Sequence, residues 1–366
     1  MDKIPIFSLK RQHEALDDEI RDAISRVFDA GIFIGGPEVA AFENEFAAWV
    51  GTKYGVSVAC GFDALKIGLM ALGVGRGDEV ITAANGCPAT PLAIAATGAT
   101  PVFVDCDENY LIDLSLIEKA VTHRTRAILP VHLYGRPVDM TALMKIARKR
   151  GLKVIEDCAQ AHGAEWMGKK VGVFGDIGCF SFYPTKNLGA VGDAGMAVMS
   201  NPKLAKLARK IANYGERKRF DSDIPGLNSR LDPLQAAILR IKLKHLERYV
   251  NRRRQVAKIY TGILKDSPLK LPGDPPHGKH AFHLFVVETA KREIVRKRLD
   301  KAGIGSFVHY PIPCSNLGAF NDLGNKRGDF PRAEGGAKRI LSLPMFPEMT
   351  DEEATRVARE VLKAIG

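Results

Sequence analysis

Between about residues 55 and 200 the apolar positions fall into short β-rich runs separated by stretches of helical spacing. The runs lie at 54–59, 79–81, 101–104, 127–129 and 154–155. The intervening segments 63–72, 88–96, 114–121 and 141–149 read as amphipathic helices joined by short loops. Such alternation predicts βαβ units, hence a mainly parallel sheet with helices on both faces. Segments 180–182 and 196–199 predict two further strands across a Gly-rich loop. A long helix is expected from Asp232 to about Ile263, with Leu234, Ala237, Ile238, Ile241 and Leu246 on its buried stripe. Segment 267–279, with four prolines, reads as a linker or surface loop. A strand (282–287), a helix (292–302) and a C-terminal helix opening on Asp351 and Glu352 complete the pattern. The fold class is α/β: a large domain over 1–240, N-terminal helix included, and a smaller C-terminal α+β domain over 241–366.

Composition narrows the function. A chain of 366 residues, 46% hydrophobic, can bury a large core, and 26% charged residues with ordinary Gly and Pro content argue against long disorder. No signal peptide and no bilayer-length apolar run are visible. Six cysteines (60, 87, 106, 158, 179 and 314) form neither a Cys-x-x-Cys pair nor a zinc-type cluster. Reduced thiols in a cytoplasmic protein are therefore expected, with no metal. The net charge of +11 suits either a solvated basic surface or attraction of anionic, phosphorylated ligands. The runs Arg217-Lys218-Arg219 and Arg252-Arg253-Arg254 lack interleaved stacking aromatics, so nucleic acid is not the expected partner.

Two segments carry candidate chemistry. Asp157, in Glu156-Asp157-Cys158-Ala159-Gln160, follows the run 154–155 and so lies at the carboxyl end of a strand, where open α/β sheets collect ligands. Alone it reads more readily as a loop or capping carboxylate. Lys186 lies in Phe182-Tyr183-Pro184-Thr185-Lys186-Asn187-Leu188-Gly189, just past another strand. Most lysines are simply exposed; one partly enclosed loses proton affinity and becomes a usable amine. A carboxylate for a pyridine nitrogen and an amine for an aldehyde suit one cofactor, pyridoxal 5'-phosphate. Its phosphate would need donors. Ser181 and the strand–helix turn Cys60-Gly61-Phe62-Asp63 offer them.

These segments, with Gly77-Asp78-Glu79-Val80-Ile81, His132-Leu133-Tyr134-Gly135, Gly226-Leu227-Asn228-Ser229-Arg230 and His309-Tyr310-Pro311-Ile312-Pro313, resemble the DegT/DnrJ/StrS-type sugar aminotransferases over nearly the whole chain. The resemblance implies a fold-type I pyridoxal-phosphate-dependent transferase. It implies Lys186 as the catalytic Schiff-base lysine, Asp157 as partner of the pyridine nitrogen and Gln160 as donor to the ring hydroxyl. Ala159 would pack on one ring face, and Ser181 with the backbone of Gly61 and Phe62 would hold the phosphate. Asn228 would reach that phosphate from a second subunit, making a homodimer with shared sites.

The implied reaction moves an amino group from L-glutamate, through pyridoxamine 5'-phosphate, to a nucleotide-linked keto-sugar. Amino-sugar biosynthesis for lipopolysaccharide or a secondary metabolite follows. A cyclitol-ketone aminotransferase and a non-catalytic regulatory protein on the same fold are the alternatives. Two positions depart from the family pattern: Phe62 replaces a hydroxyl residue, and Cys87 replaces an aromatic that stacks on the ring. His309 and Tyr310 either line the acceptor site or belong to a loop fixed by Pro311 and Pro313.

Overall fold

The computed structural model describes residues 3–365. Three helices open the chain: α1 (Leu9–Glu14), α2 (Asp17–Ala30) and α3 (Gly36–Val50). The alternation then runs β1 (Tyr54–Val58), α4 (Gly61–Ala71), β2 (Glu79–Ala83), α5 (Ala89–Ala95), β3 (Thr100–Val104), α6 (Leu114–Ala120), β4 (Thr125–Leu129), α7 (Met140–Arg150) and β5 (Lys153–Asp157). A short hairpin, β6 (Glu165–Trp166) and β7 (Lys169–Lys170), precedes β8 (Ile177–Ser181), β9 (Gly195–Met199) and α8 (Pro202–Ala212). A second hairpin, β10 (Glu216–Lys218) and β11 (Asp221–Ser222), leads to α9 (Pro233–Leu264). The C-terminal part holds β12 (Gly278–Lys279), β13 (Phe285–Glu288), α10 (Arg292–Lys301), α11 (Pro331–Arg339), β14 (Ile340–Leu343) and α12 (Asp351–Ile365).

The main sheet has seven strands in the order β1-β9-β8-β5-β4-β2-β3. Only β9 runs against its neighbours, β1 and β8. No helix separates β8 from β9, so nothing is available to carry a parallel crossover between them. Both faces are covered, and β2 and β9 are buried along their whole length. That is why these strands read as continuous apolar runs. The main core packs Val56, Leu65, Ile81, Ile128, Ile155 and Ile177 around the sheet. α4 lies tight against it: a side chain at Gly68 would put its Cβ 2.6 Å from Ile155 Cδ1. At φ 79°, Gly73 turns the chain out of α4, a conformation glycine adopts without a Cβ penalty.

α9 serves two cores. Its Ala236, Leu239, Leu246 and Val250 pack with Phe42, Phe46, Phe180 and Phe182. Its Val256, Ala257, Tyr260 and Leu264 pack with Phe285, Leu343 and the apolar face of α12. In this second unit β13 pairs antiparallel with β14, a strand the sequence pattern does not single out. The strand expected from 282 begins at Phe285, because Phe282 sits at a positive φ of 45°. Ile4 joins the C-terminal core and bridges to Ile304, so the segment before α1 is tied to the C-terminal part. Among the described residues no helix is long and apolar enough to cross a membrane.

Candidate active site

The carboxyl ends of the parallel strands meet the Gly-rich segments on one side of the sheet. Asp157 is the last residue of β5 and is 4% exposed. Its backbone is fixed from both sides: its N–H donates to the Pro130 carbonyl (2.9 Å), and its carbonyl accepts from His132 N–H (3.0 Å). The carboxylate accepts from Thr90 Oγ1 (2.7 Å) and from the Ala159 N–H (3.0 Å). Burial pushes this carboxyl above the usual range, while those two donors and the charge of Lys186 pull it back. A carboxylate has four acceptor sites, so these two bonds leave room for another donor. A cationic ring nitrogen is such a donor.

Lys186 follows β8 by five residues, in a turn closed by its own N–H to the Tyr183 carbonyl (2.8 Å) and by Ala190 N–H to Phe182 (2.8 Å). Asn187 Nδ2 anchors the turn to the carbonyls of His162 (3.3 Å) and Ala281 (3.1 Å). The residue as a whole is half-buried, yet its amine is enclosed by protein, and that enclosure lowers its proton affinity. Cys87 and Asp157 act on the same amine in the opposite sense. Among the described residues the amine makes no hydrogen bond or ion pair, so it is available to an incoming group.

The third part is a cradle. Cys60, extended at φ −161°, caps α4 without a side-chain bond, leaving the first N–H groups of an 11-residue helix unpaired by a cap. Gly61 lies against Ser181: a Cβ at Gly61 would stand 2.5 Å from Ser181 Cβ. Backbone donors, a hydroxyl and the positive end of a helix thus converge. The residues present fit pyridoxal 5'-phosphate: an acceptor with spare capacity, an enclosed amine without a partner, and an anion cradle that only glycine permits.

Gln160 accepts at Oε1 from the Tyr134 N–H (2.8 Å) and donates from Nε2 to the Tyr310 hydroxyl (2.8 Å). Tyr310 is therefore brought into the site, and its hydroxyl lies beside Cys87. The place where the family stacks an aromatic is approached here by a tyrosine from the C-terminal part. His309 Nδ1 pairs with Ser342 Oγ (2.8 Å), and burial, with Lys186 nearby, pushes its ring down to about 4. Ala159 is half-buried beside Asp157. Phe62 turns toward the main core, leaving only its backbone for the cradle. Asn228 is exposed and is not bonded to the cluster. Its neighbour Ser229 is, donating to Asp63 Oδ2 (2.6 Å) and accepting from the Ala59 N–H (3.0 Å).

Three groups escaped sequence reasoning. Thr90 is 67 residues from Asp157 in the chain, and only the sheet order brings them together. Tyr134 donates its hydroxyl to the His309 carbonyl (2.5 Å), fixing the loop that bears Tyr310. Glu156, fully buried, accepts from the N–H groups of Gly172, Phe174 and Gly175, each at 2.8 Å, and pairs with His132 Nε2 at 3.1 Å. The acceptors of Glu156, His132 and nearby Cys158 lie within 4.8 Å of one another. Those of Glu156 are already engaged by protein donors, and His132 Nδ1 accepts from Val138 N–H (3.0 Å), so the group is a brace behind Asp157.

The model of the DegT/DnrJ/EryC1/StrS aminotransferase family matches residues 14–362. A dTDP-3-amino-3,4,6-trideoxy-alpha-D-glucose transaminase of Streptomyces venezuelae is 44% identical, over 97% of this chain and 94% of that protein. A UDP-N-acetyl-3-dehydro-alpha-D-glucosamine 3-aminotransferase of Acidithiobacillus ferrooxidans is also 44% identical, over 99% and 98%. The crystal structure of S. venezuelae DesV in complex with a ketimine intermediate superimposes with a TM-score of 0.97 at 44% identity, covering 99% of this chain and 98% of that one.

Proposed function

Since the chain belongs to the DegT/DnrJ/EryC1/StrS aminotransferase family and is a pyridoxal-phosphate-dependent aminotransferase, we propose that it aminates a nucleotide-linked keto-sugar at the expense of L-glutamate. The observation that carries this reading is the enclosed, unpartnered amine of Lys186 beside Asp157 and the Gly61–Ser181 cradle. Relatives named for dTDP- and UDP-sugars support the substrate class. The net charge of +11 suits a pyrophosphate-bearing acceptor.

Bound pyridoxal phosphate supplies an aldehyde carbon and an electron-accepting ring, and Asp157, Gln160, Ala159, Ser181 and the backbone of Gly61 and Phe62 would hold it. The rest falls to side chains of the chain. Asp157, while ionised, would hold a proton on the ring nitrogen of the bound cofactor. Lys186, with its proton affinity lowered by enclosure, is neutral more often than a surface lysine and takes the proton from the substrate's α-carbon. As an ammonium it would deliver that proton to the carbon that came from the cofactor's aldehyde, so that no net proton is lost. Gln160, locked by Tyr134 and Tyr310, orients the ring hydroxyl. His309 and Tyr310 form the acceptor-facing wall.

The working unit is a homodimer in which Asn228 of the partner subunit completes the phosphate site. Exposed Phe28, Ile32, Phe33 and Ile34 support it, since four apolar side chains so close together are unusual on a monomer. The large domain is 1–240 and the small one 241–366, joined through α9. Six unpaired cysteines suit a cytoplasmic home.

Incubation with L-glutamate and a panel of dTDP- and UDP-keto-sugars, read by mass spectrometry, tests the assignment. Conversion of a keto-sugar to its amine is expected. Amination of cyclitol ketones alone, with no nucleotide sugar consumed, would move the substrate class.

A further inference from the structure

Lys242 is a charged residue buried where the reaction, as derived above, does not use it. It lies on α9 and is 1% exposed. Its Nζ donates to the Gly189 carbonyl at 2.8 Å and meets His13 Nε2 at 3.0 Å. An ammonium can only donate, so His13 accepts at Nε2 and carries its own proton on Nδ1. Gly189 stands three residues past Lys186. It belongs to a turn so tight that a Cβ there would collide with the Pro184 carbonyl.

The same helix holds this segment a second time. Gln235 Oε1 accepts from the Val191 N–H at 2.9 Å. Positions 235 and 242 are seven apart and share one helix face. One face of α9 therefore grips the end of the lysine turn at a carbonyl and at an N–H, while Asn187 holds its middle from the other side. A surplus charge buried in such a place is costly unless it is bonded. Here it is bonded to the turn that bears the reactive amine.

We propose that Lys242 is a positioning residue: its ammonium clips the Lys186 turn to α9 and, through His13, to the N-terminal helix α1. The proposal rests on Lys186 being the reactive amine. Burial lowers the Lys242 amine to about 8, so the clip loses its charge just above neutral pH. The groups that face it are His13 from α1, held neutral by burial and by Lys242 itself, and Glu348 from the segment before α12. Glu348 is raised by burial, accepts from Gln12 Nε2 (3.3 Å), and also senses Arg253 further along α9. Above the Lys242 transition the grip on Gly189 weakens and the turn loosens.

Hydrogen–deuterium exchange on the purified full-length holoprotein, resolved to the peptide spanning 184–191, tests this without any substrate. After correction for intrinsic base-catalysed exchange, wild-type protection of that peptide should step down as pH rises through about 8. Lys242→Met should exchange there about tenfold faster already at neutral pH, the loss expected from one charge-assisted hydrogen bond, with no step. Lys242→Arg should restore protection and hold it through the alkaline range. In turnover with L-glutamate, kcat should fall in Lys242→Met with KM little changed. A wild-type profile with no step near pH 8 overturns the proposal. So does a Lys242→Met protein whose exchange rises evenly along the chain. Because exchange reads the turn directly, failure of the keto-sugar assignment would leave this result standing.

Discussion

At the scale of single residues, the site sets one unpartnered amine, that of Lys186, among polar groups already held by protein partners. Lys186 differs from an ordinary lysine only in its enclosure, and the consequence is specific. Lys186→Ala should lower turnover by about a thousandfold, the usual contribution of a positioned acid–base group, while the protein stays folded by circular dichroism. Thr90→Val removes the donor 2.7 Å from Asp157. Losing a bond that favours the ionised carboxylate raises Asp157 further, so the ring nitrogen meets a weaker anion. An equilibrium absorbance titration should show cofactor affinity reduced about tenfold, and unchanged affinity would remove Thr90 from the site. Lys186, Asp157, Gln160, Ser181 and Gly61 could be singled out as candidates from the sequence because each sits in a short local motif. Thr90, Tyr134 and Lys242 were not, because each acts across strands or onto a helix distant in the chain. Cys87 was legible as a departure, whereas Tyr310 reaching toward it was not, since the two are joined only by packing of the C-terminal part.

At the scale of elements, βαβ alternation placed nearly every strand of the main sheet, and the exceptions have physical causes. The reversal of β9 follows from a connection without a helix, and the late start of β13 from positive φ at Phe282. β14 was hidden because a four-residue run after a helix carries too little periodicity to stand out. The brace formed by Glu156 ties β5 to the segment 172–175 and to His132. Glu156→Gln leaves several N–H groups facing an amide that can accept only at one atom. It should cost about 3 kcal/mol in urea unfolding, with loss of cofactor following from a shifted Asp157. An unfolding midpoint equal to wild type would show the brace to be incidental. The α4 turn makes a similar claim: Gly61→Ala places a methyl group on Ser181 and should weaken cofactor binding without lowering the melting temperature comparably.

At the scale of the molecule, several histidines are held neutral inside the fold. His162, ringed by Phe46, Phe180 and Phe182, is pushed down to about 3, and His280 and His283 lie well below the ordinary value of 6.5. The unfolded chain takes up these protons as pH falls below 6.5, while the folded chain does not. Stability from these groups is therefore complete above that pH and is lost progressively on acidification. The melting temperature should begin to drop near pH 6, before most carboxylates titrate; a flat profile down to pH 5 would contradict it. The proposed sharing of the site between two subunits is tested separately. A mixed dimer of Lys186→Ala and Asn228→Ala chains retains one site with both residues intact only if Asn228 serves its neighbour. Co-expression should recover activity that neither variant shows alone, and no recovery would place Asn228 in its own subunit's site or outside both.

Reduction of the cofactor-loaded protein with borohydride, followed by peptide mass spectrometry, asks directly which amine holds pyridoxal phosphate. The mass of the reduced cofactor is expected on the peptide containing Lys186, and nowhere in the Lys186→Ala variant. Its appearance on any other lysine, or on none, would contradict the assignment of this site.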